Sequence, residues 1–177
     1  YLGDVIQNYF GNGSSFGVSI TYIIETRRLG TGGALRSARE YIHHDSVLVL
    51  YGDNLIDINL REMIDFHEHA GAQMTTALTT VSQAGDWGVV GLRGNQVVSF
   101  SSKPHKEGFS KLINTGVFAI EPSVIAKIPK TGFSMLEKDI IPQLVSLGKV
   151  AGYTFDGLWF DITTTELYAM ALKYWKK

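Results

Sequence analysis

The sequence predicts an α/β fold: a mixed, mostly parallel sheet with helices on both faces. Three observations carry that expectation. Segments of strand character alternate with segments of helical periodicity along the chain. The run Val47-Leu48-Val49-Leu50-Tyr51 is apolar or aromatic throughout, as a strand covered on both faces of a parallel sheet would be. The glycine-rich stretch "LGTGGAL", residues 29–35, reads as a turn that enters a helix. In such sheets ligands sit beyond the carboxyl ends of the strands.

Taken in order, the chain opens with a helix that carries Val5, Ile6, Tyr9 and Phe10 on one face and stops at Gly11-Asn12-Gly13. "VSITYII" is rich in β-branched residues and predicts a strand. A helix over residues 34–42, the strand 47–51, a helix over 60–69 and the strand "MTTALTTV" follow. "WGVVGL" and "QVVSFSSKP" flank Arg93-Gly94-Asn95 and predict a hairpin. "KLINTGVFAI" is a strand interrupted by Asn114-Thr115-Gly116, and such an interruption marks a bulge or a ligand close to the backbone. Helices at Pro122–Lys127 and 137–147, the strand "KVAGYTF" and a terminal helix over 166–176 complete the series.

Composition narrows the function. A length of 177 residues suits one domain, and a net charge of -1 without a Lys/Arg cluster leaves no electrostatic footprint for nucleic acid. Zero cysteines exclude disulfides and thiolate metal sites and fit a reducing compartment. No apolar run reaches the length of a membrane span and no signal peptide opens the chain, so no membrane partner and a cytoplasmic location are expected.

Asp53 follows the apolar strand directly, and Asp161 repeats the pattern in "LWFDITT". Each can serve as a turn or helix cap. Together, two carboxylates at apolar strand ends are the minimum kit for Mg²⁺, which binds few protein carboxylates and leaves room for phosphate oxygens. The glycines of "LGTGGAL" let backbone approach a ligand, or serve a tight turn of their own; the stretch matches neither the dinucleotide nor the P-loop fingerprint. Lys103, before Pro104, ends a strand. His67 and His69 fall on different faces of a helix and make a poor metal pair, and no histidine is assigned a role.

The stretches "LGTGGAL", "VLVLYGDN", "WGVVGL", "VVSFSSKP", "INTGVFAIEP", "FSMLEKDIIPQL" and "GLWFDITTTELYAMA", in that order, resemble the sugar-1-phosphate nucleotidylyltransferases, and the mannose-1-phosphate guanylyl- and glucose-1-phosphate thymidylyltransferases among them. The resemblance implies a Rossmann-like fold of the nucleotide-diphospho-sugar transferase type and a reaction joining a nucleoside triphosphate to a hexose 1-phosphate with release of pyrophosphate. It implies Mg²⁺ on Asp53 and Asp161 and Lys103 near the sugar phosphate. Gly88 and Asn114-Thr115-Gly116 would line the sugar pocket, and Gly30, Thr31 and Gly32 would lie beside the base. Glu25, five positions before Gly30, would reach the base and favour GTP, since a carboxylate only accepts hydrogen bonds and guanine offers two adjacent donors; pairing with Arg27 or Arg28 is its other use.

The family's glycine-rich triphosphate loop and first strand have no counterpart here, so residues 1–177 are expected to form a catalytic domain incomplete at the N-terminus. Ser102 and Thr163 stand where the family has glutamate and glycine. The readings that compete are a metal-dependent glycosyltransferase and a non-catalytic relative that binds nucleotide-sugar; a homo-oligomer is left open.

Overall fold

In the computed structural model, residues 2–43, 45–82, 87–102 and 111–175 are described. Helix α1 (Gly3–Phe10) and a 3-10 turn (Ser14–Phe16) precede α2 (Gly30–Ser37). Then come β1 (Val47–Leu50), β2 (Asn54–Ile56), α3 (Leu60–Ala70), β3 (Met74–Thr80), the hairpin β4 (Val89–Arg93) and β5 (Gln96–Ser101), and β6 (Leu112–Ile120). Helix α4 (Pro122–Lys127), a π-helical turn (Leu136–Ile140), α5 (Ile141–Ser146), β7 (Val150–Thr154), β8 (Trp159–Asp161) and α6 (Thr165–Tyr174) complete the chain.

The main sheet runs β1-β6-β3-β7-β5-β4, and β2 and β8 form a separate two-stranded ladder. Strands β1, β3, β4 and β7 share one direction, as a mostly parallel sheet would have it. Strand β6 is threaded antiparallel between β1 and β3, so β3–β7 is the parallel ladder among the described residues and the other pairings are antiparallel.

Helices cover both faces. Along β6 the side chains alternate: Phe118 and Ile120 join Leu35 of α2, Val124 and Ile125 of α4, and Ile141 and Leu144 of α5 in one core. Val117 and Ala119 point the other way, toward Met63 of α3. Helix α3 starts at Asn59, whose side-chain oxygen accepts from the amides of Arg61 and Glu62 (3.2 and 3.3 Å), and stops at Gly71. His67 is buried on this helix, with Nδ1 2.8 Å from the Thr75 hydroxyl and Nε2 3.3 Å from Glu121 Oε1, so it ties α3 to the sheet.

Two expectations are corrected. The strand buried deeply on both faces is β6; residues 47–51 are covered on both faces only in part, Val47 and Val49 by one core and Leu48 by the other. Strand β1 lies at the sheet edge, is half-buried, and leaves Leu50 47% exposed. An apolar run reports on a strand's faces and says nothing of whether its outer edge is paired. "VSITYII" forms no strand either: no described strand lies beside it, and Val18, Ile23 and Ile24 stay exposed. The apolar face of α1 is likewise exposed, its Tyr9 and Phe10 rings gathered with Phe16. Among the described residues no helix is long and apolar enough to cross a membrane.

Helix α6 is started by Thr164, whose hydroxyl accepts from the Leu167 amide at 3.2 Å. Its own backbone amide, then the hydroxyls of Thr164 and Thr165, hold the carboxyl of Glu166 below the usual range. A carboxyl whose pKa is lowered by folding stabilises the helix above its unfolded pKa, and that contribution fades as pH falls through the lower, folded value. Amide resonances of the first turn of α6, followed by NMR from neutral pH into acid, should therefore show fraying that sets in below pH 4.5. Glu166→Gln should remove that dependence.

Candidate active site

The site is built where β6 is interrupted. Between Thr76 and Leu78 the β3–β6 register jumps from Phe118 to Asn114, so residues 115–117 face Ala77 alone. That is a bulge, as the Asn-Thr-Gly interruption predicts. Its polar groups are satisfied from within. Asn114 Oδ1 accepts from Thr76 Oγ1 (2.8 Å) and the Gly116 amide (3.2 Å), and the buried Thr115 hydroxyl donates to the Ala77 carbonyl (2.9 Å). Gly116 has φ +76°, and a Cβ there would come within 2.5 Å of Asn54 Nδ2 and 2.8 Å of the Tyr51 ring. Only glycine meets both demands.

This turn aims the Thr115 carbonyl at the β2–β8 ladder. Asn54 Nδ2 donates to it at 2.7 Å and the Trp159 indole N–H at 3.2 Å. In the ladder Asn54 lies opposite Asp161, and the Ile162 amide donates to the Asp53 carbonyl at 2.9 Å. Asp53 and Asp161, far apart in sequence, thus line one cleft. It has a volume of about 220 Å³ and is completed by Tyr51, Trp87, Gly88, Ser102, Asn114, Thr115, Gly116, Glu137 and Trp159. Hairpin β4–β5 supplies Gly88, whose carbonyl accepts from the Asn114 amide at 2.8 Å.

The two carboxylates differ. Asp53 is exposed, and none of the described residues donates to its side chain. Asp161 is half-buried and accepts from the Trp87 indole (3.0 Å) and the Thr163 amide (3.1 Å). Because Thr163 contributes its backbone N–H at negative φ, threonine serves at this position without strain. Glu137 enters the cleft from the π-helical turn. Pro142, lacking an N–H, cannot continue an α-helical ladder back through that turn, and the wide turn presents Glu137 inward. Its carboxylate accepts from Thr31 Oγ1 (2.9 Å) and from the Tyr51 hydroxyl.

A family model described as "Nucleotidyl transferase" matches residues 2–177. The chain belongs to that family. It is 33% identical to the UTP–glucose-1-phosphate uridylyltransferase of Synechocystis, over 98% of this chain and 49% of that protein. It is 31% identical to the mannose-1-phosphate guanylyltransferase of Mycobacterium tuberculosis, over 94% of this chain and 47% of that protein. The chain thus spans about half the length of these two relatives. HddC from Yersinia pseudotuberculosis, also solved complexed with GMP-PN, matches with TM-scores of 0.83 and 0.82 at 22% identity, over 99% of this chain and 76% of HddC. The fold is the nucleotide-diphospho-sugar transferase fold of this family.

Of the residues singled out in the sequence, the cleft brings together Asp53, Asp161, Gly88, Asn114, Thr115 and Gly116. Lys103 lies outside the described residues. Glu25 lines a separate depression with Arg27, Leu29, Arg36 and Lys130, and its carboxylate accepts from the Leu29 amide at 3.3 Å. The glycine turn is drawn against residue 134: the amides of Gly32 and Gly33 donate to the Ser134 carbonyl at 2.9 and 3.1 Å, and Gly30, at φ +77°, leaves that carbonyl its space. Thr31 bridges the turn to the cleft through Glu137. Sequence reading missed Glu137, Tyr51, Trp87, Asn54 and Trp159. All five stand in stretches that carry the family resemblance, but an acid opening a helix and an aromatic or amide beside a short strand carry no signal that sets them apart.

Gly116→Ala should test the geometry. The added methyl must displace Asn54 or Tyr51, so a loss of stability of about 1–3 kcal/mol in denaturant titration is expected. The ring resonances of Tyr51 and Trp159 should shift while the β3–β7 resonances stay.

Proposed function

We propose that the chain forms the metal- and sugar-phosphate-binding part of a nucleotidyltransferase site, which joins a nucleoside triphosphate, GTP by preference, to a hexose 1-phosphate. A sugar-phosphate oxygen attacks the α-phosphorus, the bond to the β-phosphate breaks, and pyrophosphate leaves. The observation that supports this most is the juxtaposition of Asp53 and Asp161 in a polar, aromatic-walled cleft. The donor set fits magnesium: both ligands are hard oxygens, Asp53 is free of protein donors among the described residues, and Asp161 keeps a lone pair on each oxygen. When bound, the ion would neutralise charge on the phosphates.

The chain's own groups would position the reactants. The glycines at 88 and 116 leave room for a sugar against the backbone, and Glu137, fixed by Thr31 and Tyr51, offers its remaining lone pairs to sugar hydroxyls. Ser102, lining the same cleft, is short enough to leave that role to Glu137. Lys103, the next residue, would offset the charge of the sugar phosphate. Glu25, beside the glycine turn, would accept both donors of guanine.

The test is made on the full-length protein with labelled nucleoside triphosphates and hexose 1-phosphates. Release of pyrophosphate supports this reading, and release of nucleoside diphosphate from a nucleotide-sugar would support a glycosyltransferase instead. Asp53→Asn and Asp161→Asn should each cut turnover by orders of magnitude with the circular dichroism spectrum preserved; near-normal magnesium-dependent turnover in either variant contradicts the shared site. GTP should be preferred over dTTP and UTP by ~1–3 kcal/mol, the usual worth of a bidentate base contact, and Glu25→Gln should narrow the gap.

A further inference from the structure

Asp161 is held at both oxygens, and the two donors differ in kind. The Thr163 amide, two residues on, closes a local turn onto Oδ1 at 3.1 Å. That contact alone would serve a carboxylate that merely ends a strand. The second donor comes from 74 residues away: the indole N–H of Trp87, at the entry to β4, reaches Oδ2 at 3.0 Å. Trp87 is half-buried and stands edge-on to Trp159, with centroids 5.2 Å apart and planes at 82°. Trp159 is itself fixed by its bond to the Thr115 carbonyl. The indole position is therefore set by packing before it meets the carboxylate.

We propose that Trp87 is a positioning residue for Asp161, holding its carboxylate in the orientation that lets it share a hard divalent cation with Asp53. The inference rests on the metal reading of the cleft and goes beyond it in assigning a role to Trp87. An ionised carboxylate has about four lone-pair directions. One donor on each oxygen fixes its rotation and leaves one direction per oxygen toward the cleft. Indole is suited to this because it donates only and carries no charge. A lysine or arginine in its place would orient the carboxylate and also neutralise it, competing with the ion. Asp53 has no comparable support among the described residues, so the orientation of the pair depends on Asp161.

The test uses the full chain with Mn²⁺ as probe, counting free ion by its electron paramagnetic resonance signal. Trp87→Phe keeps most of the ring packing and removes the N–H. It should weaken Mn²⁺ binding about 10-fold or more, the usual effect of removing a partner of a metal-ligating carboxylate, with thermal midpoint and circular dichroism nearly unchanged. In parallel, the indole ¹⁵N–¹H resonance that Trp87→Phe deletes should shift on adding Mg²⁺ to the wild type and stay still in Asp161→Asn. If Asp161→Asn abolishes Mn²⁺ binding but Trp87→Phe binds as the wild type does, the role of Trp87 is refuted and the metal reading stands. If the wild type takes up no Mn²⁺, or Asp161→Asn binds it equally well, both fall.

Discussion

One backbone oxygen organises the cleft. The Thr115 carbonyl receives the Asn54 amide from β2 and the Trp159 indole from β8, so one acceptor on the main sheet fastens both strands of the small ladder. A three-residue ladder has few bonds of its own, and an isolated two-stranded pair is marginal in water. Its attachment to β6 is what gives Asp53 and Asp161 fixed positions. The carbonyl is available because the bulge turns it out of the β3–β6 ladder, and the bulge is tolerated because Asn114 and Thr115 satisfy its other polar groups.

The wall opposite is assembled by a second set of contacts that meet at Glu137. The glycine turn packs closely on the Ser134 carbonyl, just before the π-helical turn, and the Thr31 hydroxyl both accepts the Leu136 amide (2.9 Å) and donates to Glu137. Tyr51, at the end of β1, reaches the other oxygen of Glu137, and its own amide donates to the Gly116 carbonyl at 3.0 Å. An element before the sheet and one between β6 and β7 are thus tied, through Glu137 and Tyr51, to the same bulge. On the proposed function, a sugar hydroxyl would meet acceptors already held in place, which lowers the ordering cost of binding.

Much of this was legible from residue patterns. The helix over residues 60–69, the β4–β5 hairpin around Arg93-Gly94-Asn95 and the interruption of β6 at Asn114-Thr115-Gly116 were all expected, because in each case local chemistry dictates the backbone. The candidate site was half legible: Asp53 and Asp161 announce themselves by ending apolar approaches. What brings them together is a pairing of two three-residue strands, too short for any periodicity to reveal. Glu137 depends on a π-helical turn, and Trp87 on a hairpin that bridges back to β6 at Val89–Ile113; both are long-range facts without a sequence signature. The strand expected at "VSITYII" fails for the same reason, since strand propensity does not specify a partner.

If the Thr115 carbonyl, through Asn54 and Trp159, places Asp53 and Asp161 so that they share one cation, crystals of the protein grown with Mn²⁺ should show it by anomalous diffraction. One anomalous peak is expected in the cleft, about 2.1 Å from an oxygen of each aspartate, with Asn54 and Trp159 still bonded to Thr115. A peak on one aspartate alone, or on neither, would contradict it.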